Sequence, residues 1–312
     1  MNILEKIKRF STENGDRIAI KSDDSCLSYG QLDAYSDKLA AWIYRNYGDT
    51  KTPVIVYGHK NPYMIVCFLA CVKAGKAYCP QDISIPDTRV EATVECVEPE
   101  VIFQVEGDIT LDNENVINLD KIKEIIEKEE ETAKVENWVK PDDTYYIIFT
   151  SGSTGKPKGV QITFDCLNNY LDWSVTLCGE VKENEIFNFG NQAPFSFDLS
   201  VMDLYTCLAL GGTLHTLTKK MQEDYNAMFN HFEEANLNVW VSTPSFADMC
   251  LADKKFCSTM MPNLKVFLFC GEVLTTSTTK KLQERFPDVK IINTYGPTES
   301  TVAVSDVLIT PE

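Results

Sequence analysis

The chain reads as an α/β protein made of two packed subdomains with mainly parallel sheets. Short β-rich runs alternate with helical patterns, the signature of strands joined by crossover helices. The alternation comes in two series, divided by a polar stretch at Asn137 to Asp143. Glycine- and hydroxyl-rich segments follow several of the apolar runs, at the strand ends where open parallel sheets bind ligands.

The first series defines a subdomain expected over residues 1–136. Its helix "LSYGQLDAYSDKLAAWIYRN" opens on Ser28 as N-cap and carries Leu32, Tyr35, Leu39 and Trp42 at helical spacing. That stripe is a core face. Strand "PVIVYG", helix "PYMIVCFLACVKAG", strand "EVIFQV" and helix "LDKIKEIIEKEEE" follow, the last with a charge run that reads as a solvated face. Strand "TYYIIFT" belongs to a second subdomain expected over residues 137–312. That series runs through "EIFNFGNQ", helix "DLSVMDLYTCLALGG", strand "TLHTL", helix "YNAMFNHFEEAN", strand "NVWVST", a short helix after Pro244, strand "LKVFLFCGE", helix "STTKKLQERF" and strand "KIINTYG".

Composition narrows the function. An apolar content of 44% with 24% charged residues is ordinary for a soluble globular protein. The 46 acidic and 29 basic side chains give a net charge of -17, which argues against nucleic acid as the main partner. The eleven cysteines are odd in number and form no C-x-x-C pair. Cys67, Cys71, Cys79, Cys207, Cys250 and Cys270 sit in apolar segments, as small buried hydrophobes in a reducing cytosol. Charge interrupts the opening "MNILEKIKRFSTENGDRIAI", so neither a secretory leader nor a membrane span is expected there. The three histidines, His59, His215 and His231, are expected to be packed or surface residues, and no G-x-S-x-G elbow is present.

The most informative stretch is "FTSGSTGKPKG", Phe149 to Gly159, with three glycines, two lysines and four hydroxyl side chains. A surface hairpin is the plain reading. The mixture better suits a polyphosphate: glycines expose backbone N–H groups, hydroxyls add donors, and lysines add fixed positive charge. The G-x-x-x-x-G-K-[ST] pattern fails, because Lys156 is followed by Pro157 and no hydroxyl stands there for magnesium. Pro157 disfavours helix at Lys156, so the stretch is expected to stay a loop.

"TSGSTGKPKG" closely resembles the phosphate loop of the adenylate-forming superfamily, which includes acyl-CoA synthetases and amino-acid adenylation domains. "NTYGPTES", Asn293 to Ser300, resembles that superfamily's adenine and magnesium segment. The resemblance implies the fold of that superfamily's N-terminal domain, with ATP and Mg2+ as cofactors. It assigns Thr150, Ser151, Gly152, Ser153, Thr154, Gly155, Lys156 and Lys158 to phosphate, Thr298 to the α-phosphate and Glu299 to magnesium. Thr154, Lys158 and Glu299 are the implied catalytic set. Gly271, Glu272, Asn293, Thr294, Tyr295 and Gly296 are expected to border the nucleotide, Tyr295 by stacking.

"NQAPFSFDLSVMDLYTCLALGGTL" resembles the amino-acid-activating branch, whose F-D-x-S segment offers an aspartate to the substrate ammonium. Asp198 takes that role here. It is the only acid in "NQAPFSFDLSVM", and a buried ammonium needs a charged partner. The competing role is helix N-cap, which Ser196 could fill instead. Leu199, Met202, Cys270, Gly296 and Pro297 are expected to line the substrate pocket. Within the branch, the likeness is greatest to ligases that load D-alanine onto the phosphopantetheine thiol of a D-alanyl carrier protein for teichoic acid decoration. It implies a cytoplasmic monomer. An acyl-CoA or aryl-CoA ligase, a nonribosomal peptide synthetase adenylation domain and a non-catalytic ATP-binding module are the alternatives. The chain ends at "DVLITPE" with no sign of the family's Y-x-T-G-D segment, hinge or small C-terminal domain with its adenylation lysine. It therefore reads as a truncated piece, expected to bind ATP without adenylating at a useful rate.

Overall fold

A computed structural model describes residues 2–23, 25–108, 115–151, 157–180 and 185–310. Among these residues the larger sheet has eight strands. In spatial order they are Ser305–Leu308, Lys290–Tyr295, Val266–Phe269, Val239–Ser242, Asn188–Asn191, Thr213–Thr216, Ile18–Lys21 and Cys26–Ser28. Only the outermost pair at each edge is antiparallel. The smaller sheet has six described strands: Val116–Asn118, Ile102–Gln104, Val54–Gly58, Tyr78–Asp82, Thr144–Ser151 and Pro157–Thr163. Its one antiparallel pair is the last. Two mainly parallel sheets are thus present, as the alternating pattern implied. Each draws strands from both sides of residue 137.

Local sequence explains the main helices. Helix Tyr29–Tyr47 starts at a reciprocal capping box: Ser28 Oγ accepts from the Gln31 N–H, and the Gln31 side chain accepts from the Ser28 N–H. Helices Tyr63–Lys73 and Leu199–Ala209 are apolar on nearly all faces, and both are almost wholly buried, as such helices must be. They hold the two sheets together. Phe68 meets Phe195 edge-to-face at 5.5 Å, and the Tyr205 and Tyr78 hydroxyls bond at 2.8 Å. One continuous apolar core results, reaching from Ile3 to Ala303.

A buried polar bridge crosses the same interface. The Lys60 ammonium, which follows the strand Val54–Gly58, donates to Asn191 Oδ1 and to the Ala193 carbonyl of the larger sheet's side. The Asn191 amide donates to Asp203 Oδ1 at 2.8 Å. Burial pushes the Lys60 pKa down and that of Asp203 up, the response of charges removed from water.

The structure adds elements that the hydropathy reading leaves unassigned. Helices Ile3–Glu13, Asp87–Val97 and Phe164–Leu177 are among them, as are strands Ile18–Lys21 and Tyr78–Asp82. Among the described residues, no helix is long and apolar enough to cross a membrane. All eleven cysteines are free, and the six placed in apolar segments are buried.

Candidate active site

The expected phosphate stretch begins and ends in a β-hairpin. Thr150 pairs with Lys158 and Ser151 with Pro157 across the antiparallel strands Thr144–Ser151 and Pro157–Thr163. The expectation of a loop is therefore corrected from Pro157 onward. That residue lies on the sheet's outermost strand, where a missing N–H is tolerated. Thr150 Oγ1 makes only a long contact to the Lys158 carbonyl, 3.5 Å. Gly152, Ser153, Thr154, Gly155 and Lys156 lie outside the described residues, as does the Ser151 side chain.

The second motif leaves the carboxyl end of strand Lys290–Tyr295. A Cβ on Gly296 would lie 2.5 Å from Ala303 Cα, so only glycine allows the chain to fold back here. It does so through the 3-10 turn Thr298–Ser300, followed by Thr301 and Val302 with φ of 64° and 68°. Left-handed backbone at two β-branched residues is strained, and such strain persists only where surrounding structure enforces it. Tyr295 is 72% exposed, with a ring free to stack. Asn293 Oδ1 is buried and has no hydrogen-bond partner among the described residues. The Thr294 hydroxyl is committed to the Phe269 carbonyl at 2.9 Å.

The two motifs meet: Lys158 Nζ stands 3.5 Å from Glu299 Oε1, both side chains being exposed. Strand Val266–Phe269 delivers Cys270, Gly271 and Glu272 to the same carboxyl-end rim. Gly271 takes φ of 89°. Glu272 Oε2 accepts from the Ser245 N–H at 3.1 Å, tying this turn to helix Pro244–Leu251. Pro297 precedes the 3-10 turn and is exposed.

Asp198 holds the N-cap position of helix Leu199–Ala209, yet its backbone is already helical and its side chain makes no capping bond. The carboxylate is thereby released from the structural role that competed for it. Ser196 does not cap either; its Oγ is buried without a partner among the described residues. Burial raises the Asp198 pKa, with the Thr298 hydroxyl and local backbone N–H groups opposing and Glu299 adding to the rise. Its charge reaches Cys270 and Tyr146, whose pKa values are raised first by burial and then by this carboxylate. Cys270 Sγ lies 3.8 Å from the Val302 carbonyl. The Tyr146 and Tyr170 hydroxyls are buried without partners among the described residues. Leu199 and Met202 are buried in the main core.

A cavity of about 360 Å³ opens where the two sheets' carboxyl ends face each other, and Arg89, Thr150, Ser196, Phe197, Asp198 and Thr298 border it. Sequence reasoning named Thr150, Asp198 and Thr298 for this place. It missed Arg89 and the exposed ring of Phe197. Arg89 stands just after strand Tyr78–Asp82, and reading that strand would have put it at a carboxyl end. A hollow of about 460 Å³ beside Trp42 is lined by Arg45, Glu124 and Glu129, whose charges are already paired.

Comparison with known proteins agrees with this geometry. A family model described as AMP-binding enzyme matches residues 7–312. D-alanine--D-alanyl carrier protein ligases of Bacillus anthracis and of Bacillus cereus strain Q1 are each 45% identical, over 319 and 320 residues, and each match takes in 100% of this chain. The chain spans 62% of the length of these relatives. Among solved structures, the nonribosomal peptide synthetase FmoA3 has a TM-score of 0.87 at 18% identity, covering 100% of this chain and 33% of that one. The Klebsiella oxytoca NpsA N-terminal subdomain, in complex with 3-hydroxybenzoyl-AMSN, has a TM-score of 0.82 at 20% identity, covering 99% and 76%. At such identities the likeness is one of fold. The match across nearly the whole sequence, together with two motifs meeting at one cavity, shows that the chain belongs to the AMP-binding enzyme family.

Proposed function

We propose that the protein activates a small amino acid, D-alanine, as its aminoacyl adenylate and passes it to the phosphopantetheine thiol of a D-alanyl carrier protein. A substrate carboxylate oxygen bonds to the α-phosphorus of ATP as the bond from that phosphorus to the β-bridging oxygen breaks, and pyrophosphate leaves. The carrier thiol then forms the thioester as AMP departs. Such a reaction needs aligned reactants and neutralised phosphate charge. The observation that carries the reading is Asp198, a half-buried carboxylate at the cavity with no capping duty. An acyl-CoA ligase would leave that charge facing an apolar acid unpaired.

Further observations support the remaining roles. Thr150, Lys158 and Thr298 approach the phosphates; the described residues contain no group of three metal-ligating side chains. A lone exposed Glu299 suits Mg2+, which is held by one or two carboxylates with phosphate oxygens and water. Asn293 Oδ1 lacks a donor and suits an amino group of adenine, with Tyr295 stacking and Gly271–Glu272 alongside. Teichoic acid decoration, a monomeric state and the cytoplasm complete the proposal. The test is ATP binding and pyrophosphate exchange with D-alanine, L-alanine and fatty acids, on this chain and on one extended to the relatives' length. Expected are ATP binding by both and D-alanine exchange by the extended chain alone. Faster exchange with a fatty acid would reject the amino-acid reading, and equal exchange by both chains would place the catalytic charge within these 312 residues.

A further inference from the structure

Arg89 is exposed on the first turn of helix Asp87–Val97, at the cavity that also holds Thr150, Ser196 and Asp198. Among the described residues its guanidinium makes no ion pair and no hydrogen bond; only its backbone is engaged, the N–H donating to the Pro86 carbonyl and the carbonyl accepting from the Thr93 hydroxyl. The acids on the same rim have partners. Asp198 accepts from Thr298, and Glu299 stands by Lys158. Ser196 brings a buried hydroxyl with no partner among the described residues to the same lining. An unengaged cation from the smaller sheet's side and an unengaged donor from the larger sheet's side thus share one cavity between the two sheets.

This arrangement, on the adenylation reading above, fixes which part of the nucleotide comes here. The α-phosphorus must lie beside the carboxylate of a substrate whose ammonium rests on Asp198. The nucleoside lies toward Tyr295 and Gly271, on the larger sheet's strands. The β- and γ-phosphates then extend toward the smaller sheet, where Thr150 and Arg89 stand. We propose that Arg89, with Ser196 Oγ, binds the β,γ-diphosphate of ATP and the pyrophosphate it becomes. A planar guanidinium matches phosphate oxygens in paired hydrogen bonds, and such charge-assisted contacts are the strong ones.

The test is calorimetric titration of ATP, AMP and inorganic pyrophosphate into the 312-residue chain and its Arg89→Gln and Arg89→Lys variants. Arg89→Gln is expected to weaken ATP and pyrophosphate about tenfold or more, with AMP unchanged. Arg89→Lys, which keeps the charge but not the fork, is expected to fall between. A variant that binds ATP within threefold of the unmodified chain overturns the assignment while leaving the adenylation reading intact. So does an equal loss for AMP, which would mark Arg89 as a residue that shapes the site instead of one that grips the diphosphate. An unmodified chain that binds neither ATP nor AMP would overturn both.

Discussion

Lys158 Nζ and Glu299 Oε1, 3.5 Å apart, join the hairpin that bounds the glycine-rich stretch to the turn after strand Lys290–Tyr295. Both side chains are more than half exposed, so the pair adds little stability, within about 1 kcal/mol. Lys158→Ala is expected to leave the urea midpoint nearly unchanged while weakening ATP binding. A large stability loss with intact ATP affinity would make the contact structural and remove Lys158 from the phosphate site.

Asp198→Asn is expected to abolish recognition of the amino group and spare ATP. Removing one partner of a buried charge pair costs roughly 3–5 kcal/mol, so amino-acid affinity should fall by orders of magnitude. Unchanged affinity would end the assignment. The raised pKa also sets a pH signature. Between the unfolded value of 3.8 and the higher native one, the native state holds a proton the unfolded chain has lost. This carboxyl therefore favours folding below that window and loses its contribution as pH rises through it. Ammonium binding runs the opposite way and strengthens across the same window, a divergence that Asp198→Asn should erase in paired titrations of stability and affinity.

Cys270 is proposed as a steric wall of the substrate pocket, and it stands near enough to Asp198 to sense its charge. A methyl-sized contact discriminates by only about 1–3 kcal/mol. Cys270→Ala is expected to relax the preference for D- over L-alanine with ATP affinity retained. A preference that stays put would leave Cys270 as plain packing.

The Lys60–Asn191–Asp203 bridge lies in the apolar interface between the sheets, where an isolated charge is expensive. Lys60→Met is expected to cost about 3–5 kcal/mol in urea unfolding, because it strands the Asp203 carboxyl. Adding Asp203→Leu should recover most of that loss, since an apolar pair replaces the stranded group. If the single variant matches the parent in stability, the bridge carries no net energy.

Elements with one strong local cause were readable. Ser28 and the stripe Leu32, Tyr35, Leu39 and Trp42 announced helix Tyr29–Tyr47, and the unbroken apolar run after Pro62 announced helix Tyr63–Lys73. Strand Tyr78–Asp82 was not readable, because "YCPQD" has neither alternation nor a purely apolar run and carries Pro80. Pairing explains how it forms: its contact with strand Thr144–Ser151 is registered only at Tyr78 and Tyr146, so the missing Pro80 N–H breaks no ladder there. The site followed the same division. Three stretches gave Thr150, Lys158, Asp198 and Thr298 by local likeness. Arg89 and the release of Asp198 from capping depend on how distant segments come together, which no short stretch records.

The exchange of strands between the sheets governs how the chain is made. The Thr213 hydroxyl donates to the Ile18 carbonyl across a sequence separation of 195 residues, beside the parallel pairing of strand Ile18–Lys21 with Thr213–Thr216. A ribosome adding about 5–20 residues per second needs roughly 10 to 40 s to cover that span. Throughout that interval the nascent amino-terminal hairpin, Ile18–Lys21 with Cys26–Ser28, has no sheet to join. Contacts of such long range also slow folding after release. The newborn segment, with Ala19, Ile20 and Leu27 destined for complete or near-complete burial, is thus where a chaperone would be needed first.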